Sequence, residues 1–140
     1  ICVRDLERSI RFYRDGLGFK EAGRLEVEGE PTATMLGLPE LELHAIYLDR
    51  EGFRIELLHY PKPGTLGSGE ARPMNQVGLT HIALRVKDLG EAMRAVEAHG
   101  GRGLPVTRVH KEKYGAHLVY ATDPDGTRLE LVETLQDPTR

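Results

Sequence analysis

The spacing of apolar residues changes period within the stretch Leu79–Arg94. From Leu79 to Val86 an apolar run alternates with polar positions: Ile82, Leu84 and Val86 on one side, His81, Ala83 and Arg85 on the other. That is the period of a strand with one buried face. Beyond it Leu89, Met93 and Val96 recur at helical spacing, with Ala92 beside them, until Gly100 and Gly101 end the pattern. Asp88, with Glu91 three residues on, stands where an N-cap and its capping-box partner belong. The chain opens in the same way: Asp5 caps, Leu6, Ile10, Tyr13 and Leu17 make the apolar stripe, and Gly16 and Gly18 close it. Three strand-like runs follow each helix, over 20–28, 41–49 and 53–59 and over 103–109, 116–122 and 127–134. The last two of each set are joined by DREG or DPDG, where Gly52 and Gly126 supply the positive φ of a tight hairpin.

These parallels extend to the letters. VRDLERSIR at Val3–Arg11 matches VKDLGEAMR at Val86–Arg94, an offset of 86 − 3 = 83 residues, and DREGFRIELL at Asp49–Leu58 matches DPDGTRLELV at Asp123–Val132, an offset of 123 − 49 = 74. Two units of one design follow, with an insertion in the first at EGEPTATMLGLPE, between Glu28 and Glu40. Tyr60 to Gly78 carries three prolines and four glycines with neither periodicity, so it reads as a connection. The expected organisation is a single domain over 1–140, with a first module over 1–60, a linker over 61–78 that could also gate a pocket, and a second module over 79–140. The expected class is α+β, with two tandem β-α-β-β-β modules.

Composition narrows the function classes. At 39% hydrophobic and 29% charged, the 140 residues have the balance of a globular domain and not of a disordered chain. Lysine and arginine number 19 against 22 acidic residues, a net charge of −3 with both signs scattered, which argues against nucleic acid as a partner. Apolar runs are far shorter than the roughly 20 residues that span a bilayer, and no charged-then-apolar leader opens the chain, so the expectation is a cytoplasmic protein without membrane contact. The single cysteine, Cys2, forms no internal disulfide; beside Ile1 and Val3 it reads as a small buried apolar residue.

Three ionisable side chains interrupt these strands. Leu129 and Leu131 share a face, leaving Glu130 on the other, and Ile55 and Leu57 do the same for Glu56; His81 lies on the face opposite Ile82. A charged group set among leucines is costly to bury unless paired or metal-bound. One reading is a wet face on which Arg54 and Arg128 pair with the glutamates. The sharper reading is that two sheets curve toward each other and bring Glu56, His81 and Glu130 to one divalent cation. Such nitrogen and oxygen ligands suit zinc, nickel, cobalt, manganese or ferrous iron, without selecting among them.

The repeated unit, the opening VRDLERSIRFYRDGLGF, THIALRVKDL and DPDGTRLELVE resemble the vicinal oxygen chelate superfamily of glyoxalases, epimerases, extradiol dioxygenases, fosfomycin-modifying enzymes and bleomycin-binding proteins. The resemblance covers nearly the whole chain. It implies a curved mixed sheet around a cleft (the glyoxalase/bleomycin resistance/dioxygenase-like fold), a small-molecule substrate, a divalent metal and a homodimer. In metal-using members each module gives one ligand from its first strand and one from its last, which falls on Glu56, His81 and Glu130; the fourth position would precede Ile1, where a histidine or other ligand is expected. The implied chemistry is that of a glyoxalase-like lyase or isomerase acting on an oxygen-chelating substrate, with Glu130 as the first choice of general base and Glu56 the second. Arg54, Arg85 and Arg128 are then candidates for binding an anionic substrate. The alternative is an extradiol dioxygenase using ferrous iron: YATDPDGTRLE resembles the end of that group's signature, and Tyr114, His117 and His110 would be substrate-side acids or bases, although the histidine spacing fits poorly. A third reading, a drug-binding resistance protein of the bleomycin-binding type, asks for aromatic platforms that a chain without tryptophan supplies sparingly. His44, His59 and His99 complete no ligand spacing and receive no role.

Overall fold

The computed structural model describes residues 1–134; 135–140, the tail of the second module, lie outside the described residues. The chain divides into two compact units, Ile1–Ser68 and Gly69–Arg140, and the division falls inside the segment read as a linker. No helix among the described residues is long and apolar enough to cross a membrane.

In the first unit, helix α1 (Leu6–Arg11) starts where Asp5 Oδ1 accepts from the Arg8 N–H at 2.9 Å, and it continues through a π-helical turn, Phe12–Gly16. Strands β1 (Lys20–Glu28), β2 (Glu42–Arg50) and β3 (Phe53–Lys62) form an antiparallel sheet in the order β1-β2-β3. The apolar stripe of α1 meets one face: Ile10, Phe12, Tyr13 and Phe19 are buried with Ile46, Leu48, Ile55 and Leu57, and Tyr13 sets its ring edge-on to both Phe12 and Phe19. Each such side chain contributes about 1.5–3 kcal/mol of burial, which fixes the face that β2 and β3 turn to the helix. The insertion is not shapeless. It contains a short helix α2 (Thr32–Leu36), ended by Gly37 at φ 65°, and Ala33, Leu41 and Leu43 pack there with Val27, Leu58 and Tyr60.

The expected opening strand of this unit is a single bridge, with Cys2 parallel to Leu58, Val3 N–H donating to the Leu58 carbonyl and Leu58 N–H to that of Ile1. Strand alternation then corrects the reading of Cys2. Val3 takes the buried face, so Cys2 faces the other way and is exposed.

The second unit repeats the scheme with its opening strand complete. Its sheet runs β4-β7-β6-β5, from β4 (Ile82–Val86), β5 (Arg102–Lys111), β6 (Ala116–Thr122) and β7 (Arg128–Thr134), with β4 parallel to β7 and the other pairs antiparallel. Helix α3 (Leu89–Ala98) is capped as the sequence predicts, Asp88 Oδ1 accepting from the Glu91 N–H at 2.6 Å, and Glu133 adds a second cap by accepting from the Leu89 N–H at 2.7 Å. Leu89 and Val96 bury against Leu84, Val119, Ala121, Leu129 and Leu131.

The hairpins differ more than their sequences. In the first, Arg50 pairs with Phe53 around Glu51 and Gly52, both at positive φ (50° and 81°), as a two-residue type I′ turn requires. In the second, Thr122 pairs with Arg128, leaving a five-residue loop in which Asp123, 2% exposed, accepts from the N–H groups of Asp125 and Thr127.

Candidate functional site

In the second unit the parallel register sets Ala83 beside Glu130 and Arg85 beside Val132, so His81, Arg85, Arg128 and Glu130 all belong to the sheet face turned away from α3. There His81 Nε2 lies 3.5 Å from Glu130 Oε2, and the two side chains are 28% and 20% exposed. The other ring nitrogen, Nδ1, is 2.9 Å from Thr80 Oγ1. With Nδ1–H donating to Thr80, the Nε2 lone pair faces the carboxylate, the arrangement a shared metal ion needs; with the Thr80 hydroxyl donating to Nδ1, it is Nε2–H that faces Glu130. The spacing suits a metal. Nitrogen and oxygen ligands at about 2.1 Å from one ion stand about 3.0–3.4 Å apart at octahedral or tetrahedral angles.

Tyr120 on β6 is the direct cross-strand partner of Glu130 and sets its ring edge-on to His81, with centroids 5.5 Å apart. Burial, with the Glu130 charge adding, raises its phenol above the ordinary value and keeps it a proton donor. A cleft of about 230 Å³ opens beside this group, lined by Glu70, Arg72, Thr80, His81, Thr127 and Arg128 among others. Arg72 holds one wall together by donating to the carbonyls of Val77 and Leu79.

The first unit repeats part of this arrangement. Glu56 on β3 is half-buried and is the cross-strand partner of Tyr47 on β2. The hydrogen bond from Tyr47 to Glu56 raises that phenol, the nearby carboxylate charge adding to it. Tyr60 is raised mainly by burial. Neither unit by itself gathers three His, Cys, Asp or Glu side chains able to hold a metal ion, among the described residues.

The remaining predicted residues are placed unevenly. Arg128 lines the cleft, with Nη1 2.8 Å from Met74 Sδ. Arg85 is exposed on the Glu130 face. Arg54 shares a face with Glu56 but is held by Asp49, Nε and Nη2 at 2.6 and 2.7 Å from its two oxygens, with the guanidinium also 5.8 Å from the Tyr47 ring centre. Tyr114 is exposed in the 3₁₀ turn Glu112–Tyr114, with Lys113 over its ring. His117 pairs with Glu133 and so lies on the sheet face opposite Glu130, stacked on His110. Thr80, Tyr120, Tyr47 and Arg72 belong to these surroundings and carried no role in the sequence reading. For Tyr47 the signal existed, since pairing outward from the two-residue hairpin puts it opposite Glu56; Tyr120 meets Glu130 only because the second hairpin closes on a five-residue loop.

Comparison with known proteins agrees with this architecture. The profile of the Glyoxalase/Bleomycin resistance protein/Dioxygenase superfamily matches residues 1–131. The chain is 34% identical over 134 residues to a protein of Haemophilus influenzae named lactoylglutathione lyase, covering 94% of this chain and 86% of that one. It is 25% identical to a catechol-2,3-dioxygenase of Bacillus subtilis, covering 94% of this chain and 38% of the relative. Among solved structures, a glyoxalase family protein from Bacillus cereus superposes with a TM-score of 0.83 at 26% identity, over 97% of this chain and 91% of that one.

Proposed function

The chain belongs to the Glyoxalase/Bleomycin resistance protein/Dioxygenase superfamily, and from that premise we propose that it is a divalent-metal-dependent lyase or isomerase of the glyoxalase type, acting on a small substrate that offers neighbouring oxygens. The observation that carries this reading is the 3.5 Å approach of His81 Nε2 to Glu130 Oε2, with Thr80 at the far ring nitrogen. His81 and Glu130 would hold the ion, and Glu56 is the further ligand that the family resemblance implies. When bound, the metal supplies Lewis-acid polarisation of the substrate oxygens.

The chain's own groups do the rest. Glu130 is the base: its carboxylate takes a proton from a carbon next to a carbonyl and returns it to the adjacent carbon, and Glu56 is the second choice for that role. Thr80 fixes the His81 ring, and the Tyr120 ring supports its edge. Arg128 on the cleft wall beside His81 is the group that would meet an anionic end of the substrate, on a lining that also carries Arg72, Glu70 and Asp125. The relatives named lactoylglutathione lyase support a thiol adduct of a 2-oxoaldehyde as the first substrate to try.

The test is metal analysis of gently purified protein, followed by assay with that adduct. Retained metal, and activity lost on chelation and in Glu130→Gln, are expected; equal activity of Glu130→Gln and the unaltered protein under metal saturation would overturn the reading.

A second reading rests on Tyr120. A protonated phenol beside a carboxylate and a histidine suits donation to a catecholate oxygen, and YATDPDGTRLE resembles the extradiol signature. Oxygen consumption with catechols and ferrous iron would reverse the ranking.

A further inference from the structure

The helix-side face of each sheet carries a row that the functional reading leaves unused. In the first unit Glu26, His44 and His59 are successive cross-strand partners on β1, β2 and β3. In the second, His110, His117 and Glu133 are successive partners on β5, β6 and β7. The 74-residue offset relates His59 to Glu133, and Tyr47 and Tyr120 each lie three residues after the middle histidine of their row. Each row is therefore a central histidine with one histidine and one glutamate at its sides, but in opposite order.

The rows differ in what their rings do. In the first unit the two rings are 6.3 Å apart at 59°, His59 Nδ1 lies 3.3 Å from the Val3 carbonyl oxygen, and His44 Nε2 lies 3.6 Å from Glu42 Oε1. Each ring has an occupation within its own unit. In the second the rings are stacked, with centroids 4.2 Å apart and planes 11° from parallel, and no ring nitrogen of His110 or His117 meets a hydrogen-bond partner among the described residues. His110 is exposed and His117 half-buried, so metal ions reach the pair from solvent. The neighbouring Glu133 carboxylate adds negative charge at its third position.

We propose that His110 and His117 form a two-imidazole site for a borderline divalent transition metal, separate from the group around His81. Two imidazoles side by side on paired strands are preorganised as a bidentate ligand, since the backbone ladder already holds them together and little side-chain entropy is left to lose. The imidazole χ2 torsion is soft, so the exposed edges of the stack open to accept one ion. Imidazole ligands with free positions favour copper(II) over nickel and zinc in the usual order. Because β5 is an edge strand among the described residues, a bound ion also ties that edge to β6.

The experiment titrates the full chain with copper(II), followed by electron paramagnetic resonance and by broadening of the histidine ring signals in NMR. His81→Asn is included as background so that the His81 group does not contribute. The expected result is nitrogen coupling from two imidazoles in that background, early broadening of His110 and His117, and affinity at least about ten-fold weaker in His110→Asn and in His117→Asn. His44→Asn should leave this binding unchanged and serves as the matched control. Copper uptake of the same strength in both His110→Asn and His117→Asn would overturn the proposal, and so would broadening confined to His44 and His59. Neither outcome bears on the lyase reading, whose residues lie on the other face.

Discussion

Replacing Thr80 by valine keeps the shape of the side chain and removes the oxygen that meets His81 Nδ1 at 2.9 Å. The ring then loses the partner that sets its orientation and tautomer. Metal affinity, measured by competition with a chromophoric chelator, should fall about 10–100-fold, and Thr80→Ser should restore most of it. Arg54 allows a second prediction at this scale. Its hydrogen bonds hold the Asp49 carboxyl below the ordinary carboxylate value, burial working weakly the other way. A depressed folded pKa means that the pair's contribution to stability is present above the titration of the unfolded carboxyl and disappears as pH falls through the folded value. The pair is exposed, so the effect should be small and weaker in salt. Carbon-detected NMR should find Asp49 titrating low, and Arg54→Gln should bring it back up. Arg54 was expected to bind substrate because it shares a strand face with Glu56, but alternation gives only the face; the competing carboxylate follows from the hairpin register, which sets Asp49 opposite Arg54 as it sets Tyr47 opposite Glu56.

At the scale of elements, helix starts and strand faces were legible because each is set locally. Asp5 and Asp88 cap as their spacing predicts, and the alternation around Glu56 and Glu130 puts the leucines on the buried side. What escaped was set by packing at a distance. The π-helical turn at Phe12–Gly16 is one such feature; the packing role read for Phe12 and Tyr13 holds, but it is this turn that lets both neighbours enter the core. The insertion earns its helix from contacts of Ala33 with Leu41 and Leu43, which lie beyond it in the chain. The opening strand of the first unit is reduced to the bridge at Cys2, where a buried thiol was expected. The hairpin glycines show both sides. Gly52 is needed for its conformation alone, with open space where a Cβ would go. Gly126, at φ 94°, has in addition the Gly69 carbonyl against that position. Gly126→Ala should therefore destabilise the protein by more than the roughly 1 kcal/mol of the left-handed conformation, and by more than Gly52→Ala, in denaturant titrations of the two variants. Equal losses would mean that the segment around Gly69 does not press on this turn.

For the molecule as a whole, the duplication visible in the letters is also a duplication of pairing. The offsets of 83 and 74 residues carry Cys2 and Leu58 onto Arg85 and Val132, and each couple is a parallel pair between an opening segment and the last strand of its own unit. A tyrosine faces each glutamate in the same way, Tyr47 with Glu56 and Tyr120 with Glu130. Equivalent register places equivalent residues on the equivalent face of each sheet, so Glu56 stands to the first unit as Glu130 does to the second. This equivalence makes the contribution of the first unit to metal binding measurable. With ligands drawn from both modules, Glu56→Gln should weaken metal affinity at least about ten-fold, as Glu130→Gln does, and at saturating metal each ten-fold loss should remove about 1.4 kcal/mol of metal-induced stabilisation. With the second unit holding the ion alone, Glu130→Gln should show that loss while Glu56→Gln binds as tightly as the unaltered chain. Isothermal titration of the two variants, with thermal unfolding at matched metal concentration, separates these outcomes. The metal-free proteins supply the reference, because Gln keeps the size of Glu and can still accept from Tyr47, so a change seen only with metal present belongs to the ion.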